Sequence, residues 1–223
     1  MTKQIKNSCF LSIFFICIST QGYAQQWAPK GATWYYSVSI YGSDGFVKIK
    51  YVGDTLIGSH ICKTLKKTLF FRRVGSTEIE THDMGLEYTY STAKKVYYFR
   101  YGKFYKLYDF DAKARTSWKI AGNIPGCDST SVVKIDSVGY TLINKKSLKY
   151  IWVKAKNSTN SDWNFSQKII PTIGGLKYMF PQQNCNQMAV EFSIGPLRCY
   201  TDSVGGHYDS GKVPACDYIP KID

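Results

Sequence analysis

Three short stretches of this sequence carry the residue types that catalysis or metal binding uses. The first is the glycine-rich stretch 205–211, in which His207, Asp209 and Ser210 lie close together. A serine hydrolase needs these three residue types in one hydrogen-bonded row. Closeness in sequence does not establish that row, and the stretch lacks the Gly-x-Ser-x-Gly turn that holds the nucleophile in many hydrolases. We therefore expect a flexible polar loop here.

The other two stretches carry acidic residues two positions apart. Asp109 and Asp111 could form a carboxylate pair of the glycosidase type, but two positions on one strand do not define a pair across a cleft. Glu78, Glu80 and His82 would share one face of a strand and could serve a metal, yet a solvated strand face explains them equally well. No Cys-x-x-Cys pair marks a zinc site. The sequence therefore favours a protein without catalytic residues, cofactor or metal.

The cysteines point to an oxidising compartment and one disulfide. Two of the seven lie in an apolar N-terminal run, and five follow it: Cys62, Cys127, Cys185, Cys199 and Cys216. An odd number allows at most two disulfides. Cys199 and Cys216 form the best pair, closing a loop of about 17 residues that contributes on the order of 3 kcal/mol. Cys62 lies in an alternating apolar segment and is the candidate for a buried free thiol, while the pairing of Cys127 and Cys185 stays open.

The N-terminus has the layout of a secretory signal that is removed on export. Two lysines among the first six residues precede the apolar run Cys9–Ser19, which is too short to span a bilayer, and Gly22-Tyr23-Ala24 then supplies small residues for cleavage. We predict a signal peptide at 1–24 and a single β-rich domain at 25–223. The mature protein is expected in the periplasm or outside the cell, without a further transmembrane segment.

The charge of the chain suggests an acidic partner. The formal net charge is +13, which favours an anionic glycan or the envelope surface. The lysines, however, are scattered along strand patterns, as at Lys48, Lys50, Lys66 and Lys67, and such lysines often only solvate a sheet and protect its edges. Because they do not gather in a block, we expect no nucleic-acid partner.

The composition and its periodicity predict an all-β fold. The chain contains 18 Tyr and 12 Phe, residues that favour strands. Turn signals recur about every ten residues, and no segment keeps a helical period over three turns. We expect a single antiparallel domain built as a curved sheet, a sandwich or a partly open barrel.

Two hairpins are the clearest local features. Strands over Thr33–Tyr41 and Phe46–Val52 are expected to turn at Gly42–Gly45, where Asp44-Gly45 is a common hairpin signal. A second hairpin is expected to turn at Asn144-Lys145-Lys146. Further along the first half, Gly85 is expected to separate two short strands within 77–91.

Six segments, taken in order, resemble a group of poorly characterised secreted β-rich proteins of Bacteroidota. The segments are Trp27–Tyr35 (WAPKGATWY), Tyr51–Leu65 (YVGDTLIG followed by CKTL), Leu107–Phe110 (LYDF), Asp136–Val138 (DSV), Ile173–Leu176 (IGGL) and Leu197–Tyr200 (LRCY). Relatives in this group often continue into a C-terminal sorting domain of the type IX secretion system, whereas this chain ends at Asp223 without one. The resemblance therefore implies export, with periplasmic residence as well as release. It implies no established activity and no catalytic residues.

Three functions remain in competition. The first is an exported non-catalytic β domain that binds or scaffolds, and a packed interior would favour it. The second is a curved sheet or barrel that carries an apolar or lipid-like ligand, which would require an open apolar cavity. The third is a hydrolase assembled from distant residues such as His82, Asp109, Asp111 or His207, which would require carboxylates or histidines that converge in a cleft.

Overall fold

The computed structural model describes residues 27–40, 43–121, 131–156, 162–184 and 192–221. The regular elements in these ranges are β-strands, and no helix occurs among them. The strands pair antiparallel and form two curved sheets shaped like half-barrels. The all-β fold predicted from the sequence is therefore confirmed. The predicted signal peptide lies outside the described residues.

The strands follow one another with short connections along the described chain. They are β1 (Thr33–Ile40), β2 (Ser43–Ile57), β3 (His60–Phe71), β4 (Glu80–Ser91), β5 (Lys95–Arg100), β6 (Lys103–Asp109), β7 (Ser117–Lys119), β8 (Val132–Ile143), β9 (Lys146–Lys156), β10 (Asp162–Asn164), β11 (Gln167–Ile170), β12 (Gly174–Gly175), β13 (Gln182–Asn184), β14 (Phe192–Thr201) and β15 (His207–Asp209).

The first six strands form a meander that the end of the chain completes. The large sheet has the order β15-β14-β1-β2-β3-β4-β5-β6, so the last two strands join it beside β1. The small sheet has the order β12-β11-β9-β8-β7, and β10 pairs separately with β13. Buried residues of both sheets belong to one hydrophobic core. The sheets therefore share a single interior, which local hairpin pairing alone would not produce.

Strand β1 shows why this sequence forms a half-buried sheet. Trp34, Tyr36 and Val38 are at most 3% exposed. Tyr35 and Ser37, which alternate with them, are only partly buried. Successive side chains of a strand point to opposite faces, so this alternation gives β1 one aromatic face for the core and one more polar face.

The first hairpin turns earlier than the Asp-Gly signal predicted. Ile40 pairs with Ser43, which places Asp44 and Gly45 inside β2 rather than in the turn. The glycine is required for another reason, because a Cβ atom at Gly45 would lie 2.2 Å from the carbonyl oxygen of Phe70 in β3. The prediction of the turn was wrong because this glycine serves a close approach between strands, a role that gives no local signal.

Gly85 bends β4 and does not divide it. Two short strands were predicted here, whereas one strand runs from Glu80 to Ser91. Its pairing with β3 shifts in register between Lys66 and Thr68, and Gly85 has a φ of 80° close to this shift. A glycine with positive φ fits the extra residue of a β-bulge, so the ladder continues beyond it.

The interior of the large sheet is filled by the chain's own segment 171–180 (PTIGGLKYMF). Indole Nε1 of Trp34 donates a hydrogen bond to the carbonyl oxygen of Ile173 at 2.7 Å. The Tyr36 hydroxyl donates to the carbonyl oxygen of Gly175 at 3.0 Å. Buried backbone carbonyls need such partners, so these contacts fix the segment against β1.

Two further side chains fasten the same segment. The Tyr108 hydroxyl donates to the carbonyl oxygen of Met179 at 2.7 Å and accepts from the backbone N–H of Gly175 at 3.1 Å. The amide of Gln167 donates to the carbonyl oxygen of Tyr178 and accepts from its backbone N–H. A Cβ atom at Gly175 would lie 2.5 Å from the Tyr178 carbonyl oxygen, so only glycine allows this packing.

Four buried tyrosines lie in or beside this segment, and we call them the interior tyrosines: Tyr36, Tyr98, Tyr108 and Tyr178. Burial raises the pKa of each of them, because a phenolate loses its hydration there. The interior is thus a packed core of neutral aromatic side chains.

Candidate ligand-binding cleft

A cleft of about 590 Å³ lies where the two sheets meet. One wall comes from the β8–β9 turn, another from the β14–β15 hairpin, and the floor from residues 171–173 at the start of segment 171–180. Small-molecule sites have volumes of roughly 300–1,000 Å³ and lie preferentially between structural units. The volume of this cleft, about 590 Å³, lies within that range.

Asp202 holds the β14–β15 wall in shape, and its carboxylate is engaged by three hydrogen-bond donors. Its Oδ1 accepts hydrogen bonds from the backbone N–H groups of Val204 and Gly206 at 2.9 and 2.7 Å. Its Oδ2 accepts from the Tyr200 hydroxyl at 2.6 Å. Burial, followed by this contact with Asp202, raises the pKa of Tyr200. The carboxylate therefore acts as the organiser of a turn and has little capacity left to bind a ligand.

The β8–β9 turn reaches across to the opposite wall. Asn144 and Lys145 have φ values of 49° and 63°, as a tight two-residue hairpin turn requires. Asn144 Nδ2 donates a hydrogen bond to the backbone carbonyl oxygen of His207 at 2.5 Å. A turn of the small sheet is thereby fixed to the edge strand of the large sheet, which defines the width of the cleft.

Thr172 on the cleft floor has an unusual conformation. Its φ is 73°, a left-handed value that is a genuine outlier for a β-branched residue. Its hydroxyl Oγ1 is buried and has no hydrogen-bond partner in the described part of the chain. The hydrogen bond from Trp34 to the next residue, Ile173, helps to hold the backbone in this state. Strain of this kind is concentrated at functional sites.

The remaining lining combines apolar walls with two uncommitted polar groups. Ile143, Leu148 and Ile173 contribute apolar surface. Lys146 and His207 also line the cleft and are exposed, and the described residues offer no ion pair or side-chain hydrogen bond to either. Apolar walls with a few polar groups are typical of sites that orient a small ligand.

The glycine-rich stretch 205–211 contributes to the cleft but forms no catalytic triad. Its His207 lies in the cleft together with Asp202. Asp209 instead accepts a hydrogen bond from the backbone N–H of Gly211, and Ser210 accepts one from that of Lys212. Both side chains therefore close local turns, and no hydrogen-bonded Ser–His–Asp row occurs among the described residues.

The structure gives Asp109 and Asp111 separate partners. Asp109 is buried and accepts a hydrogen bond from Lys106 Nζ at 2.8 Å, whereas exposed Asp111 pairs with Lys94 at 2.9 Å. Neither aspartate lines the cleft. The two carboxylates thus form two ion pairs and not one acid–base site.

The expected row of Glu78, Glu80 and His82 is not formed. Strand β4 begins at Glu80, so Glu78 precedes the strand and does not share its alternation. Glu80 pairs with Arg73 and lies 3.6 Å from His82 Nε2. Within the described ranges no three histidine, cysteine or acidic side chains are placed to hold a metal ion.

The structure joins Cys199 to Cys216, as expected from the sequence. Their Cα atoms lie 5.6 Å apart, a usual separation for a disulfide. Cys62 is a free and fully buried thiol, as predicted from the sequence. Cys127 and Cys185 lie outside the described residues.

Sequence reasoning missed most of the cleft. Lys146 and Asn144 were recognised only as turn residues, and no pattern connected them with His207. The one available signal was Pro171-Thr172: proline is favoured at the second position of a turn, and the third position of a type II turn needs positive φ. Proline at the second position suits type I turns as well, so Pro171-Thr172 indicated a turn but neither the positive φ of Thr172 nor its place in a cleft.

A buried charge cluster was also unforeseen. Glu87 accepts hydrogen bonds from Lys67 Nζ at 2.5 Å and from Arg100 Nη2 at 2.6 Å. The Glu87 side chain is only 5% exposed. Buried charges need such pairing, so this cluster ties β3, β4 and β5 together on the core side.

Comparisons with known proteins give no relative. The chain has no significant match to a protein-family model, to a curated protein or to a solved structure. The resemblance to secreted proteins of Bacteroidota stays a prediction. In the part of the chain that the structure describes, no helix is both long and apolar enough to cross a membrane.

Proposed function

We propose that this chain is an exported, non-catalytic β domain that binds a small molecule at the cell envelope or outside the cell. The signal-like N-terminus and the resemblance to secreted Bacteroidota proteins support export. The formal net charge of +13 supports attraction to an anionic ligand or surface. The cleft between the β8–β9 turn and the β14–β15 hairpin is the proposed binding site.

The packed interior is the observation that carries this proposal. Trp34, Tyr36 and Tyr108 are fully buried, and each is hydrogen-bonded to the backbone of segment 171–180. A carrier that encloses an apolar ligand inside its sheet would need this space to be open. The filled interior therefore favours binding in the cleft, at the junction of the sheets, over the alternative of a lipid-like ligand within the large sheet.

The chemistry of the cleft favours binding over hydrolysis. Asp202 and His207 both line it, as a hydrolase would require, but the Asp202 carboxylate is engaged by three donors from its own hairpin. A catalytic base is held by a hydrogen bond to its orienting group and reaches a nucleophile. Within the described residues the His207 side chain makes a hydrogen bond neither to an orienting group nor to a nucleophile. We therefore assign no catalytic role to Asp202 and His207.

Native mass spectrometry can test the site directly. The mature protein is incubated with a small-molecule extract of the cell envelope, and we expect one discrete adduct of 1:1 stoichiometry. Leu148→Trp places a larger side chain in the cleft and should abolish the adduct. Leu142→Trp is the matched control, since Leu142 lies on the same hairpin outside the cleft and is 71% exposed.

Two outcomes would overturn the proposed function. If the adduct persists in Leu148→Trp, the cleft is not the binding site. If the wild-type protein converts many equivalents of an extract component and His207→Ala abolishes that conversion, the protein is an enzyme.

A further inference from the structure

The polar groups left free in the cleft are mainly hydrogen-bond donors. The Lys146 ammonium offers three N–H donors and no acceptor. The His207 ring, which can donate through one nitrogen, has no hydrogen-bond partner in the described structure. The strongest acceptor on the walls, the Asp202 carboxylate, is already engaged. A ligand that satisfies these groups must present acceptor atoms.

The charge of the free groups makes a negative acceptor the best match. No carboxylate lies within ion-pair distance of Lys146 among the described residues, so its charge is not neutralised locally. Hydrogen bonds between a charged donor and a charged acceptor are roughly twice as strong as neutral ones. A carboxylate is a simple group that accepts hydrogen bonds from an ammonium and neutralises its charge.

The walls and the volume set the rest of the ligand. Ile143, Leu148, Pro171 and Ile173 provide apolar surface beside the donors, and removing such surface from water favours an apolar ligand body. The cleft measures about 590 Å³. At roughly 30 Å³ for each water-sized group this volume corresponds to about twenty non-hydrogen atoms.

From these observations we infer that the cleft binds an amphiphilic monocarboxylate whose apolar body is small enough for this volume. Its carboxylate contacts Lys146, and its apolar body lies against Leu148 and Ile173. This inference rests on the proposed function, because it names the ligand class of that same cleft.

Isothermal titration calorimetry with three probes of equal chain length tests the inference. Decanoate, decan-1-ol and decylammonium share the apolar body and differ in the head group. We expect decanoate to bind 1:1, decan-1-ol to bind at least ten-fold more weakly, and decylammonium not to bind. Equal affinity for decanoate and decan-1-ol would overturn the carboxylate assignment.

Variants then locate the head group. Lys146→Gln should weaken decanoate at least ten-fold and leave decan-1-ol unchanged, whereas Lys50→Gln, an exposed lysine on β2 outside the cleft, should change neither. Unchanged decanoate binding in Lys146→Gln would contradict the inference.

The two proposals fail in different ways. If no probe binds but Leu148→Trp still abolishes the adduct from the envelope extract, the carboxylate inference is wrong and the binding function stands. If neither a probe nor an adduct binds in the cleft, the proposed function itself is wrong.

Discussion

Removal of the Cys199–Cys216 disulfide should lower the free energy of unfolding by about 3 kcal/mol. The perturbation is the double variant Cys199→Ala/Cys216→Ala. The disulfide closes a loop with a sequence separation of 17. The chain-entropy relation for a loop of that length gives about 10 cal/mol/K, or about 3 kcal/mol at 25 °C.

The native state should survive this change because other contacts hold the C-terminal segment. Arg198 Nη1 donates to the carbonyl oxygen of Tyr218 at 2.5 Å, and Arg72 Nη1 donates to that of Pro220 at 2.9 Å. Ile219 between these carbonyls is buried. Both arginines are themselves buried, so leaving either without its carbonyl partners would be costly. The loss of stability should therefore arise mainly in the unfolded chain.

Urea denaturation followed by tryptophan fluorescence, without reducing agent, measures the effect. The slope m should also rise, because an unfolded chain without the cross-link exposes more surface. Cys62→Ala is the matched control: it removes a buried sulfur without breaking a cross-link. A difference between the double variant and this control below about 1 kcal/mol would refute the entropic argument. Recovery of Cys199 and Cys216 as free thiols in non-reducing peptide maps would refute the disulfide itself.

Three further predictions concern buried groups. Glu87→Gln should cost about 3 kcal/mol of stability, because Lys67 and Arg100 lose their counter-charge; Asp83→Asn, which removes an exposed partner of Lys66, should cost much less than Glu87→Gln, and equal urea midpoints for the two variants would contradict this. Burial raises the pKa of the interior tyrosines, so the unfolded chain releases their protons first and stability should fall as pH rises above about 10; a urea midpoint that stays constant from pH 8 to pH 11 would exclude it. Burial also raises the pKa of the Cys62 thiol, so iodoacetamide should label Cys62 only after urea is added, and mass spectrometry of the labelled peptide checks this.

Local signals predicted the parts of this fold that depend on neighbouring residues. The turn at Asn144-Lys145 was predicted correctly because both strands beside it alternate and the turn itself needs only its own residues. The turn predicted from Asp44-Gly45 was wrong because Gly45 lies inside a strand, where it allows close approach of the Phe70 carbonyl oxygen on the neighbouring strand. A glycine can therefore mark either a turn or a close approach between two strands, and only the contact across the strands distinguishes these roles.

The cleft was not predictable in the same way. Its two walls meet through Asn144 and His207, which are 63 positions apart in sequence. The buried partners of Glu87 are separated from it by 20 and 13 positions. No periodicity in a single sequence records which distant strands approach each other, since that depends on the curvature of both sheets and on their register.

The sequence by itself determined the all-β class, the alternating faces of the strands and the proximity of Cys199 to Cys216. Each of these follows from the period of a strand or from a short loop closure, in which the energetic terms involve residues near one another in the chain. Only the tertiary structure decided that segment 171–180 fills the large sheet, that Thr172 is strained with its hydroxyl unsatisfied, and that the turns of two different sheets enclose a cleft. These features arise because a closely packed interior accepts very few arrangements of its large side chains, and that selection acts on all of the strands at once.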